Sequence, residues 1–141
     1  MKIHPILFVF GTCLLLNDTS VVAHHAFSAE FDANKPITIE GTIAKMEWVN
    51  PHAWLWIDVT NSDGTVDHWA LEFGPPNALY RRGWRKSSVP VGAEVTATGF
   101  LAKDGRKIAN ADQVTLPDGR TLFAGSSGTG APNDPAASGQ R

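Results

Sequence analysis

A small all-β domain with one short helix, closed as a five-stranded OB-fold-like barrel, is what this sequence predicts. Three observations carry that expectation. Five strand-like runs lie between Pro36 and Phe123, turn sequences rich in Asn, Asp and Gly separate them, and a single helical stretch falls between the third run and the fourth. Three strands, a helix and two strands is the order of an OB fold, a Greek-key closure of five strands. A β-sandwich of this length would usually want more strands.

The first strand places Ile37, Ile39, Gly41 and Ile43 on one face and Thr38, Glu40 and Thr42 on the other, a period of two. Gly41 in its middle marks a bend or bulge, as a curled sheet requires. Asn50-Pro51-His52 reads as a turn. The second strand sends Leu55, Ile57 and Val59 to one side and Trp54, Trp56 and Asp58 to the other. Asn61-Ser62-Asp63-Gly64 is a hairpin turn, because Asn, Asp and Gly tolerate the backbone such turns need. A third strand opposes Trp69, Leu71 and Phe73 to His68, Ala70 and Glu72. Residues 77–82 can form the helix, with Pro76 at its first turn and Gly83 as its stop. Residues 94–101 and 107–116 are the last two strands, joined through Lys103-Asp104-Gly105-Arg106, and Pro117-Asp118-Gly119-Arg120 is a final turn.

The ends differ from this middle. Residues 1–23 join a positive start at Lys2 to an interrupted apolar run and small residues at Val21 and Ala23, the pattern of a cleaved signal peptide. The run is too short for a comfortable membrane span, which needs about 20 apolar residues. Residues 24–35 form a polar lead-in and 36–124 the β domain. Residues 125–141, rich in Gly, Ser and Pro with no large apolar side chain, form a tail expected to lack fixed structure. Cleavage after Ala23 leaves 118 residues at a net charge of −2, with no membrane anchor, and predicts a periplasmic or secreted protein. That charge excludes a general nucleic-acid binder. The one cysteine, Cys13, lies in the removed segment, so disulfides and thiolate metal sites are excluded from the mature chain.

Cleavage at that seam would also expose a free amine beside the imidazoles of His24 and His25. Nitrogen donors grouped so closely suit Cu(II), Ni(II) or Zn(II). An amine with a reference pKa of about 7.7–8.0 and imidazoles near about 6.5 both deprotonate near neutral pH. His52 is the third candidate metal ligand; its alternative role is to bind a backbone carbonyl within its turn. The lead-in, about 36 Å long when extended, can carry His24 to His52. His68 and Glu72 share a face, but four residues of strand separate them by about 13 Å, too far for one metal. His68 is therefore expected to be a cross-strand partner.

Trp54 and Trp56, opposite the barrel-facing residues, form with Trp48 a candidate ligand surface of the kind on which OB folds stack bases or sugars. The alternative is a second small core covered by Phe27 and Phe31. Arg81, Arg82, Arg85 and Lys86 cluster around Trp84 and can hold an acidic partner or simply end a helix. No nucleophile–base pair, phosphate-cradling loop or catalytic carboxylate pair is visible, so a binding module is expected rather than an enzyme.

His24-His25-Ala26-Phe27-Ser28 with Glu30-Phe31-Asp32, then Ile39-Glu40-Gly41-Thr42-Ile43, then Trp48-Val49-Asn50-Pro51-His52-Ala53, resembles a family of exported bacterial proteins of unknown function. The similarity runs from about Ala23 to Leu116. It implies export and a small β-barrel, and it makes His24, His25, Asn50, Pro51 and His52 the motif positions. It supplies no substrate. The sequence thus predicts an exported binding module that holds copper or another divalent metal through its amino-terminal histidines. The alternatives are a metal-free module binding a small ligand or protein partner on the Trp54/Trp56 face, and an accessory subunit of an envelope complex docked through Arg81–Lys86.

Overall fold

In the computed structural model, residues 27–125 and 131–134 are described. Residues 1–23, whose pattern reads as a signal peptide, and the histidines His24 and His25 lie outside the described residues, as do residues 126–130 and 135–141 of the tail. The elements are α1 (Phe27–Glu30), β1 (Phe31–Glu47), β2 (Trp54–Thr60), β3 (Val66–Glu72), α2 (Pro76–Arg81), β4 (Glu94–Ala102), β5 (Ile108–Thr115) and β6 (Thr121–Phe123), with a 3-10 turn at Lys86–Ser88.

β1 pairs antiparallel with both β2 and β4, β2 with β3, and β4 with β5. A parallel contact between Ala70–Glu72 of β3 and Ile108–Asn110 of β5 joins the ends, so five strands form a ring. The second half of β5 carries β6 on the same edge. This is the small all-β fold that the alternation and the helix position predict, with β6, α1 and the 3-10 turn added.

One strand serves two partners because β1 is 17 residues long and curls. Thr42 pairs with Asp58 of β2 and with Glu94 of β4, so the change of partner happens there. Gly41 sits beside that change: a Cβ at this position would meet the Asp58 carbonyl oxygen and lie 2.7 Å from Ile57 Cγ2. The bulge itself falls just beyond, between Ile43 and Lys45. Glycine and bulge together let the strand turn without opening the ring.

Leu55, Ile57, Leu71, Phe73 and Ala109 point inward and are buried with Ile39 and Ile43. Trp84 belongs to this core. It is fully buried, its ring meets Phe73 edge-on at 5.2 Å, and its Nε1 donates to the Phe123 carbonyl at 2.8 Å. The cations around it in sequence disguise that role. Gly83, at φ +94°, turns the chain so that α2 ends on the surface and the next residue enters the core.

β1 begins at Phe31, five residues before the run that alternates. Phe27 and Phe31 are separated by one helical turn and bury together against Phe100 and Ala102, with Phe27 at 5.8 Å from Phe31 and 5.5 Å from Phe100. This second small core covers β4 rather than the two tryptophans of β2. Ala131 joins it from the tail.

Three Asp-Gly turns repeat one device. Asp63, Asp104 and Asp118 each accept the backbone N–H two residues on, at 2.9–3.0 Å, while the following glycine takes positive φ. Hydrogen bonds from Thr65 hold the Asp63 carboxyl below its ordinary range, chiefly through the threonine hydroxyl. The backbone and then the side chain of Arg106 and of Arg120 do the same for Asp104 and Asp118. Among the described residues, no helix is long and apolar enough to cross a membrane.

Candidate ligand-binding site

Strand alternation sends one set of β2 and β3 side chains outward, and the register aligns them. Glu47, Trp54, Glu72 and Asn110 form one row across β1, β2, β3 and β5, and Lys45, Trp56, Ala70 and Ile108 form the next. Trp54 is half-buried and Trp56 is 36% exposed. Over this face a cleft of about 130 Å³ opens. Glu30 and Phe31 reach it from the α1–β1 corner, Trp54 from β2, Glu72 from β3, Arg106 from the β4–β5 turn and Ile108 from β5. Arg106 is paired with Asp104 at 2.5 Å. The lining joins an indole and apolar side chains to two carboxylates and an arginine, with Glu72 buried at 6% exposure, a combination that suits a ring with one apolar face and polar edges.

A larger, open depression of about 400 Å³ lies where β1 changes partners, lined by Glu40, Asp58, Glu94 and several threonines. It has no aromatic side chain, and His68 already engages Asp58 across the strands at 2.6 Å. His68 is thus the cross-strand partner its position predicts.

His52 is 6% exposed, and its Nδ1 lies 3.1 Å from the Phe73 carbonyl and 3.4 Å from Glu72 Oε1. A carbonyl oxygen only accepts, so Nδ1 carries the hydrogen and the neutral ring has its lone pair on Nε2. The ring and the backbone bonds between Ala53 and residues 73–74 fasten the β1–β2 loop to the end of β3. His52 also stands behind Glu72, whose carboxylate belongs to the cleft.

Trp48 does not share the Trp54/Trp56 face. Glu47 points outward, so Trp48, one residue on, packs against the main core and stacks on Tyr80 of α2 at 5.3 Å and 18°. His24 and His25 lie outside the described residues, but Phe27, two residues beyond His25, is buried on Phe31, which lines the cleft. Among the described residues, no group of three His, Cys, Asp or Glu side chains is gathered to hold a metal ion.

Glu30, Glu72 and Arg106 are the cleft residues that sequence reasoning missed. Glu30 reads as part of a polar lead-in and Arg106 as a turn residue. Only the non-local β3–β5 pairing brings that turn beside β2. Glu72 carried a weak signal: it shares a face with His68 and, through the hairpin, with Trp54.

The strand order and the helix between β3 and β4 define a small all-β domain of OB-like connectivity, with a cleft over its second and third strands. The chain belongs to a family of unknown function (DUF6152), which matches residues 13–111. No curated protein and no solved structure matches it.

Proposed function

We propose that the chain is an exported binding module that takes an uncharged sugar chain on the outer face of β2 and β3. The observation that supports this reading is the cleft, where Trp54 stands between two carboxylates and an arginine. Pyranose rings stack on indole through their C–H faces and hydrogen-bond to such groups with their hydroxyls. Glu30 and Glu72 would repel phosphates, which disfavours nucleic acid. The test is a tryptophan-fluorescence titration with tri-N-acetylchitotriose. Wild type is expected to saturate. Trp54→Ala is expected to bind about tenfold more weakly, since one aromatic stack is worth about 1–3 kcal/mol. A Trp54→Ala titration indistinguishable from wild type would overturn the reading.

A second reading is favoured by the anchoring of α1. Signal cleavage after Ala23 would give an amine and two imidazoles, at His24 and His25, as ligands for Cu(II) or another divalent metal. Consecutive Cα atoms are about 3.8 Å apart, so His25 stays within about 7.6 Å of the buried Phe27. His52 is the third ligand of this reading. Mature protein titrated with Cu(II) is expected to develop a visible d–d band that a His24→Ala/His25→Ala variant lacks. An unchanged band in that variant would exclude these ligands, and the intact mass of the exported form establishes the first residue.

A further inference from the structure

Most of the described cations of this protein are engaged, and Lys103, though in no ion pair, donates to the Ser28 carbonyl at 2.6 Å. Lys35, Lys45, Arg106, Lys107 and Arg120 each sit against a carboxylate. Among the described residues, Arg81, Arg85 and Lys86 enter no ion pair, although all three are exposed. They lie in a stretch of 21 residues, Phe73–Ala93, that holds four cations and no acid. The rest of the chain, with eight cations against fourteen acids, carries −6.

The same place carries unusual aromatic exposure. Tyr80 is 38% exposed although it stacks on Trp48, and Val49 beside Trp48 is 49% exposed. The Arg85 guanidinium lies 6.0 Å from the Tyr80 ring centre and is held by the Tyr80 and Trp84 carbonyls at 2.9 and 2.6 Å. A cation fixed over a ring that is itself stacked on another ring loses little freedom when it binds. Glu47, the acid next to Trp48 in the chain, is taken by Lys45.

We propose that this surface, Trp48, Val49, Tyr80, Arg81, Arg85 and Lys86, docks an acidic peptide segment of a partner protein. Charge complementarity selects the peptide over an anionic membrane. A bilayer would spread its charge over a broad surface of a chain that outside this stretch carries −6, a repulsion that a peptide confined to the patch avoids at a screening length of about 8 Å. A narrow acidic segment meets only the cations, with an apolar side chain on Val49 and Tyr80. This surface is separate from the Trp54 cleft and does not depend on it.

The probe is a fluorescein-labelled eight-residue peptide of glutamate and leucine, followed by anisotropy at about 50 mM salt, where exposed charges act over more than about 10 Å. Wild type is expected to bind saturably, more weakly as salt rises. Arg81→Glu/Lys86→Glu is expected to lose at least about tenfold, the effect of about 1.4 kcal/mol. It should keep the wild-type melting temperature and the wild-type sugar titration. Lys35→Glu/Arg120→Glu, equal in charge change but elsewhere, is expected to bind within about twofold of wild type, as suits exposed sites remote from the contact. The proposal is overturned by no binding to wild type, by equal losses in the two variants, or by capture on phosphatidylglycerol vesicles without peptide binding.

Discussion

Gly41→Ala is expected to cost about 3 kcal/mol, at the upper end of what forced overpacking does to a well-filled interior. The added methyl would meet backbone on the neighbouring strand, the Asp58 carbonyl, and Ile57 Cγ2 at 2.7 Å. Backbone in a paired strand cannot move aside without opening the β1–β2 ladder. In a domain of about 100 residues, each kcal/mol moves the melting temperature by about 4–8 °C, so the loss should be plain in a thermal scan. Urea unfolding checks the magnitude. Ala44→Ser, at the exposed bulge residue next door, is expected to stay within about 0.5 kcal/mol of wild type, as surface changes usually do. A Gly41→Ala protein as stable as wild type would mean that β1 does not press on β2 at its change of partner.

Trp84→Ala is expected to cost about 3–5 kcal/mol, the range for truncating a buried aromatic. The ring fills the space against Phe73 and its Nε1 fastens β6 through the Phe123 carbonyl. Against a total stability of about 5–15 kcal/mol, that is a large share of the margin. Trp84→Phe retains part of the apolar volume and forfeits the hydrogen bond, so it is expected to fall between the two. Guanidinium unfolding of the three proteins gives the order. If Trp84→Ala unfolds with wild type, the residue is a surface member of the basic cluster after all.

Alternation made β2 and β3 readable, because one face of each meets the core and the other meets water or the cleft. Gly41 and the Asp-Gly turns were readable for a related reason: each marks a backbone demand that few residues meet. The β3–β5 closure left no local mark. It pairs segments nearly forty residues apart, and the cleft exists only because of it. Trp84 misled because charge around a residue says where its neighbours go. One step of parity separated Trp48 from Trp54 and Trp56, and counting outward from Glu47 would have divided them. Phe27 and Phe31 were readable as a pair; what they cover was not, because Phe100 lies far along the chain.

The outer-face site is tested most directly by amide and indole NMR shifts of the labelled protein during titration with tri-N-acetylchitotriose. Shifts confined to the Trp54 and Trp56 indoles and to Glu30, Glu72 and Arg106 are expected. Shifts absent at saturating sugar, or gathered instead on the Trp48–Tyr80 stack, would contradict the account.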